Sequence, residues 1–202
     1  MFAPGCLGVC TVGEFTTTIE NSTISGNTTG TNGGGVHVTY GNVVVRNSTI
    51  TANAALDAVA GGGGIFVRNV VNGAQLAPAI TIVSSIVAGN TSASPAADIG
   101  GLTSVVVEGD HDIIRAMYGA PPAGTLAVDP GLLPLGAHGG PTPTHALATD
   151  SPAIDRGSNP GHFADDQRGT GYPRVSGPAT DIGAFELPQP VVLDRIFTNG
   201  FD

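Results

Sequence analysis

Short apolar runs of about five residues, rich in Val, Ile and Thr, alternate along this chain with Asn, Ser and Gly, a vocabulary of strands and turns rather than helices. One run returns. Ile19-Glu20-Asn21-Ser22-Thr23-Ile24-Ser25-Gly26-Asn27 aligns without a gap to Val45-Arg46-Asn47-Ser48-Thr49-Ile50-Thr51-Ala52-Asn53, and a weaker copy runs from Ile82 to Asn90. The closing asparagines lie 26 and then 37 residues apart, so the repeat lengthens by insertion and its motif stays intact. A second element recurs as well: Gly33-Gly34-Gly35-Val36-His37-Val38 answers Gly62-Gly63-Gly64-Ile65-Phe66-Val67. Each unit therefore holds two short strands. Such a unit cannot bury an apolar face alone, whereas stacked copies pair every backbone with the rung above and below.

These periods predict an all-β fold, a right-handed parallel β-helix (solenoid) over residues 15–118. At roughly four coils and about 4.8 Å per coil the stack is only about 20 Å long, so it needs closure at its ends. Alternation within each strand is imperfect and does not assign the inward face. Asn27, Asn53 and Asn90 end strands, where asparagine tolerates left-handed angles and its amide can bond the same residue one coil away. They are read as structural turn and ladder positions in preference to glycosylation acceptors. The glycine runs are read as sites of unusual backbone angles or close approach between coils. A phosphate-cradling loop is disfavoured there, because no Lys-Ser/Thr pair and no helix follows.

From about Gly119 the grammar changes. Pro121, Pro122, Pro130, Pro134, Pro141 and Pro143 break regular stacking, so residues 119–187 are expected to form an irregular Gly/Pro-rich capping segment over the last coil. Asp155, Asp166, Arg168 and Asp181 within it are read as structural. Their Asp–Arg and Asp–backbone hydrogen bonds would pin the loops. Pro188-Gln189-Pro190 reads as a stiff linker to a separable tail, 191–202, for which a sorting signal and a frayed or edge-strand end both stay open. Residues 1–14 read as an irregular start. Met1 leads straight into Phe2-Ala3-Pro4-Gly5 without a basic or apolar leader region, and a coil stack beginning so abruptly is expected of the tail part of a longer protein.

Composition narrows the function classes. The formal charge is -9, and all seven basic residues are Arg, which argues against nucleic acid or an anionic membrane as partner. No apolar run is long enough to span a bilayer. Cys6 and Cys10 could form a local disulfide or stand as isolated thiols. Within the repeats the acids are Glu20, Asp57 and Asp98, with no evident column on one face for a glycosidase pair or a calcium-holding lyase site. Asp110 and Asp112, after the Val105-Val106-Val107 strand, are expected on one side of the chain, at a spacing that could hold calcium. An ordinary solvated loop end is the favoured reading of that pair. No other cofactor is expected. An active site at Asp166 and Arg168 is also disfavoured. The five histidines lack metal-ligand spacing, and no Gly-x-Ser-x-Gly elbow occurs.

The ordered string Asp129-Pro130-Gly131-Leu132, Gly139-Gly140-Pro141-Thr142, Ser151-Pro152-Ala153-Ile154-Asp155, Asp166-Gln167-Arg168-Gly169 and Asp181-Ile182-Gly183-Ala184-Phe185-Glu186 resembles the C-terminal region of choice-of-anchor Q domain proteins. These bacterial β-helix proteins share repeat style with polymorphic outer-membrane proteins. The resemblance covers roughly residues 18–187; His138 and Asp112 stand where family members often carry Asn. It implies an extracellular or cell-surface, outer-membrane-associated β-helix without a defined reaction. The expected function is a non-enzymatic module, adhesin-like or structural, touching carbohydrate or another surface component. The alternative is a fragment of a carbohydrate-active β-helix enzyme, a polysaccharide lyase or hydrolase.

Overall fold

A computed structural model describes residues 15–56, 60–68, 70–71, 74–75 and 79–189. Cys6, Cys10, Asp57 and the 191–202 tail lie outside the described residues. Sixteen short strands and no helix occur among them. The first rung comprises β1 (Thr16–Glu20), β2 (Thr23–Ser25), β3 (Thr28–Thr29) and β4 (Val36–Val38). The second comprises β5 (Asn42–Arg46), β6 (Thr49–Thr51), β7 (Ala54–Ala55) and β8 (Ile65–Val67). An antiparallel hairpin, β9 (Val70–Val71) and β10 (Ala74–Gln75), then interrupts the path and accounts for most of the longer repeat interval. The third rung follows with β11 (Ile80–Val83), β12 (Ile86–Val87), β13 (Thr91–Ser92) and β14 (Ile99–Gly101), and the fourth has β15 (Val107–Asp110) and β16 (Ile113–Ile114).

Like strands stack in parallel across rungs. The four sheets are β1-β5-β11-β15, β2-β6-β12-β16, β3-β7-β13 and β4-β8-β14, which is a parallel β-helix. Ile24 pairs with Ile50, and the same column continues through Val87 to Ile114. Inside the coil, Val43, Val45, Ile80, Ile82, Ile50, Val87, Ile65 and Ile99 form one buried core. Each fully buried Ile or Val there contributes about 1.5–3 kcal/mol by leaving water.

The corners obey one rule each. Between the first two sheets a single residue takes a left-handed angle, namely Asn21, Asn47, Ser84 and His111 in successive rungs. The next corner places that angle on Gly26, Ala52 and Gly89. The expectation that Asn27, Asn53 and Asn90 supply the left-handed angle is thus corrected: the residue before each of them does. The glycine runs serve both expected ends: Gly33 and Gly62 take left-handed angles, φ 74° and 70°, and the glycines after them allow close approach. A Cβ on Gly63 would stand 2.2 Å from the Thr91 carbonyl oxygen, and one on Gly34 2.5 Å from that of Ala54.

The second sheet explains much of the imperfect alternation, because its strands β6, β12 and β16 are buried on both faces. Ile86 and Ile113 point away from the coil interior into a second core with Ala146, Leu147, Ala153, Ile182 and Phe185. The Gly/Pro-rich segment supplies those partners. It begins, as expected, at the end of the stack, where Leu126 bridges Ile113. It then departs from the expected cap over the last coil and runs along the flank back to the first rung. Gly183 N–H donates to the Ser84 carbonyl at 2.9 Å and Asn47 Nδ2 to Ser158 O at 2.8 Å. At the first rung Asn21 Nδ2 donates to Asp165 O at 3.0 Å. The physical reason is the apolar outer stripe Ile86–Ile113, which would otherwise face water.

Candidate functional site

Two side-chain ladders run up the stack, and both end on a carboxylate. Asn27 Nδ2 donates to Asn53 Oδ1 at 2.9 Å, Asn53 Nδ2 to Asn90 Oδ1 at 3.0 Å, and Asn90 Nδ2 to Asp98 Oδ1 at 2.9 Å. Each acceptor oxygen also takes the main-chain N–H of the residue before it in the ladder. Where the fourth rung lacks an asparagine, Asp98 closes the series and its Oδ2 accepts Ala116 N–H at 3.0 Å.

The second ladder was not foreseen. Ser22 N–H donates to Ser48 Oγ, Ser48 N–H to Ser85 Oγ at 3.1 Å, and Ser85 N–H to Asp112 Oδ1 at 3.0 Å. Its signal lay in the repeated motif itself, one residue after each left-handed corner. Burial pushes the carboxyls of Asp98 and Asp112 above the ordinary range, Asp112 to about 8, and the nearby Asp110 charge adds to the latter.

This geometry separates the calcium candidates. Asp112 is wholly buried, whereas Asp110 is exposed with Oδ1 3.2 Å from His111 Nδ1. The left-handed His111 between them turns the chain, so the two carboxylates do not stay on one side as a continued strand would place them. Among the described residues no group of three or more His, Cys, Asp or Glu side chains gathers in metal-binding fashion. Glu20 and Asp110 do share a column at the end of the first sheet, but Arg46 and Val83 intervene and Arg46 pairs with Glu20 at 2.8 Å. Arg68 is exposed at the end of the β8 strand.

The flank segment holds the densest charge. Asp166 and Arg168 make a buried pair with Oδ2 to Nη2 at 2.6 Å, and the guanidinium lies 3.8 Å from the Phe185 ring centroid and 4.2 Å from that of Tyr172. Arg174, fully buried, pairs with Glu186 at 3.0 Å and donates to the carbonyls of Gly183 and Asp181. Asp181 accepts from Asp155 N–H and Leu187 N–H at 2.8 and 2.7 Å, and Asp155 Oδ1 accepts Ala179 N–H at 3.3 Å. Burial raises the carboxyls of Asp181 and Glu186, the latter to about 7 despite main-chain donors and Arg174. His145 bridges flank and stack: Nδ1 meets Leu133 O and Nε2 meets Ser25 Oγ, each at 2.8 Å, which the Nδ1–H tautomer satisfies.

Open space flanks the last rung on two sides. A cleft of about 420 Å³ is lined by Asp110, His111, Ala123, Leu126, Arg156 and Ile182, and brings an exposed carboxylate, an imidazole and an exposed guanidinium over an apolar floor. A second groove of about 630 Å³ is lined by Ser94, Pro95, Leu102, Arg115, Met117 and Tyr118 among others. The sequence singled out Asp110 of the first and gave no signal for the Tyr118 groove, since neither Leu102 nor Tyr118 belongs to a repeat. No family model, curated protein or solved structure matches the chain.

Proposed function

We propose that this chain is a non-enzymatic extracellular or cell-surface β-helix module, adhesin-like or structural, of the choice-of-anchor Q type that its C-terminal motifs resemble. One observation supports this most. Every buried carboxylate among the described residues, Asp98, Asp112, Asp166, Asp181 and Glu186, accepts at least one main-chain N–H and so serves as framework. Carboxyls tied to backbone in this way hold loops and rungs in place; a hydrolytic pair must instead face one sugar across a cleft. Outward-facing threonines, Thr28 and Thr91 on the third sheet and Thr16, Thr18 and Thr81 on the first, where their row ends on Glu108, offer hydroxyls of the kind that contact carbohydrate or another surface component.

The alternative, a fragment of a carbohydrate-active enzyme, draws its support from the Asp110–His111–Arg156 cleft. The two are separated by incubating the chain with acidic and neutral polysaccharides while reading reducing ends and unsaturated products, alongside binding to the same immobilised polymers. Binding without product formation is the expected result. Turnover that disappears in Asp110→Ala would overturn the proposal.

A further inference from the structure

We infer that the groove beside the last rung is a subsite for one neutral hexopyranose ring of a surface glycan, with Tyr118 as its stacking platform. The inference rests on the carbohydrate-contacting reading above and gives it a place and a ligand class. Tyr118 and Leu102 are each about half exposed, at 49% and 48%, and both line the same groove. An aromatic ring left in water beside a second apolar side chain offers a flat face to the apolar C–H face of a sugar.

The platform is rigid. Tyr118 N–H donates to Ile99 O at 2.9 Å and its carbonyl accepts Val105 N–H at 2.7 Å, while Met117 bridges Ile99 as a continuation of the fourth sheet. The ring therefore stands on backbone locked from both sides, which lowers the ordering cost of binding. Ser94 and Arg115 are the polar side chains that line the groove, and Arg115 reaches Asp129, outside that lining, at 3.5 Å in an exposed pair. Guanidinium donors and the Ser94 hydroxyl together suit vicinal hydroxyls. Asp129 offsets the Arg115 charge locally, and a chain of formal charge -9 repels polyuronates and sulfated glycans, so the fitting ligand is neutral. The volume, about 630 Å³, lies within the roughly 300–1,000 Å³ common for small-ligand sites.

The test titrates the chain with cellohexaose, mannohexaose, laminarihexaose and hexagalacturonate, following backbone amide shifts by NMR. At least one neutral hexaose is expected to bind and to shift the amides of Leu102, Met117 and Tyr118, while hexagalacturonate binds more weakly than it. Tyr118→Ala should weaken that binding about tenfold and Tyr118→Phe about twofold at most, since the ring face does the stacking. Leu102→Asp gives a second, independent lesion at an exposed side chain, and far-UV circular dichroism checks the fold of each variant. No binding of any neutral hexaose at millimolar concentration overturns the inference. So does equal binding by both lesions, or a preference for hexagalacturonate. Adherence of the wild-type chain to glycan-coated surfaces that persists in both lesions would reject this groove and leave the module reading standing; no adherence by the wild type would reject the reading itself.

Discussion

Asp112→Asn probes the end of the serine ladder. In the folded chain Asp112 Oδ1 accepts Ser85 N–H, Oδ2 is buried without a hydrogen-bond partner, and the carboxyl titrates near 8 against 3.8 for an ordinary aspartate. Between pH 4 and 8 the folded state therefore holds a proton that the unfolded state has lost, so stability falls as pH rises through that window and levels off above it. Moving one carboxyl that far corresponds to a ceiling on the order of 5 kcal/mol. Asparagine keeps the Ser85 acceptor and removes the titration. Its NH₂ inherits the unpartnered position at a cost of about 1–3 kcal/mol, but that cost is shared by a protonated Oδ2 and cancels from the pH slope. Urea unfolding followed by circular dichroism at pH 5, 6.5, 8 and 9 reads the outcome. The wild type should lose several kcal/mol from pH 5 to 9. The variant should match it at pH 5, exceed it at pH 9, and show a flatter profile. A variant with the wild-type slope would refute the reasoning.

Other perturbations test other parts of the framework. Arg174→Met strands Glu186 in the flank interior and should cost about 3–5 kcal/mol, seen as a lower thermal midpoint by calorimetry; the double variant with Glu186→Leu should recover part of it. Asn53→Ala removes a fully buried ladder rung that bonds Asn27, Asn90 and the carbonyls of Ile24 and Thr51, and should cost about 2–4 kcal/mol in urea titration, against under about 1 kcal/mol for the exposed Asn27→Ala. Ile86→Ala opens a cavity between stack and flank and should cost about 2–5 kcal/mol, with proteolysis of residues 133–187 rising before that of the rungs.

How much of this was legible in the sequence follows from which interactions are local or repeated. The Asn-Ser-Thr-Ile motif announced the second sheet, and the recurring Asn announced its ladder, because identical residues in identical corners meet one rung apart. The fourth rung was counted, but its motif went unrecognised. His111-Asp112-Ile113-Ile114 occupies the places of Asn47-Ser48-Thr49-Ile50 with no residue type shared except the last Ile, since the corner needs only a tolerated left-handed angle and an acceptor. For the same reason Asp110 and Asp112 were read as a solvated loop end with both carboxylates on one side, whereas Asp112 is wholly buried. The flank course of residues 133–187 was not readable, because it depends on contacts more than 100 residues apart such as Asn47 to Ser158 and Ala184 to Thr49, which leave no periodic trace. Its motif residues were nonetheless picked out, as charged groups in a Gly/Pro-rich stretch have few stable roles other than pairing with each other and with exposed backbone.

Interstrand nuclear Overhauser contacts in a deuterated, methyl-labelled sample bear most directly on the stacking of rungs. The coil arrangement predicts amide-to-amide and methyl-to-methyl contacts linking Ile24 to Ile50 and Ile50 to Val87, in parallel register. Absence of those contacts, or close Hα–Hα pairs of the antiparallel kind between these strands, would contradict it.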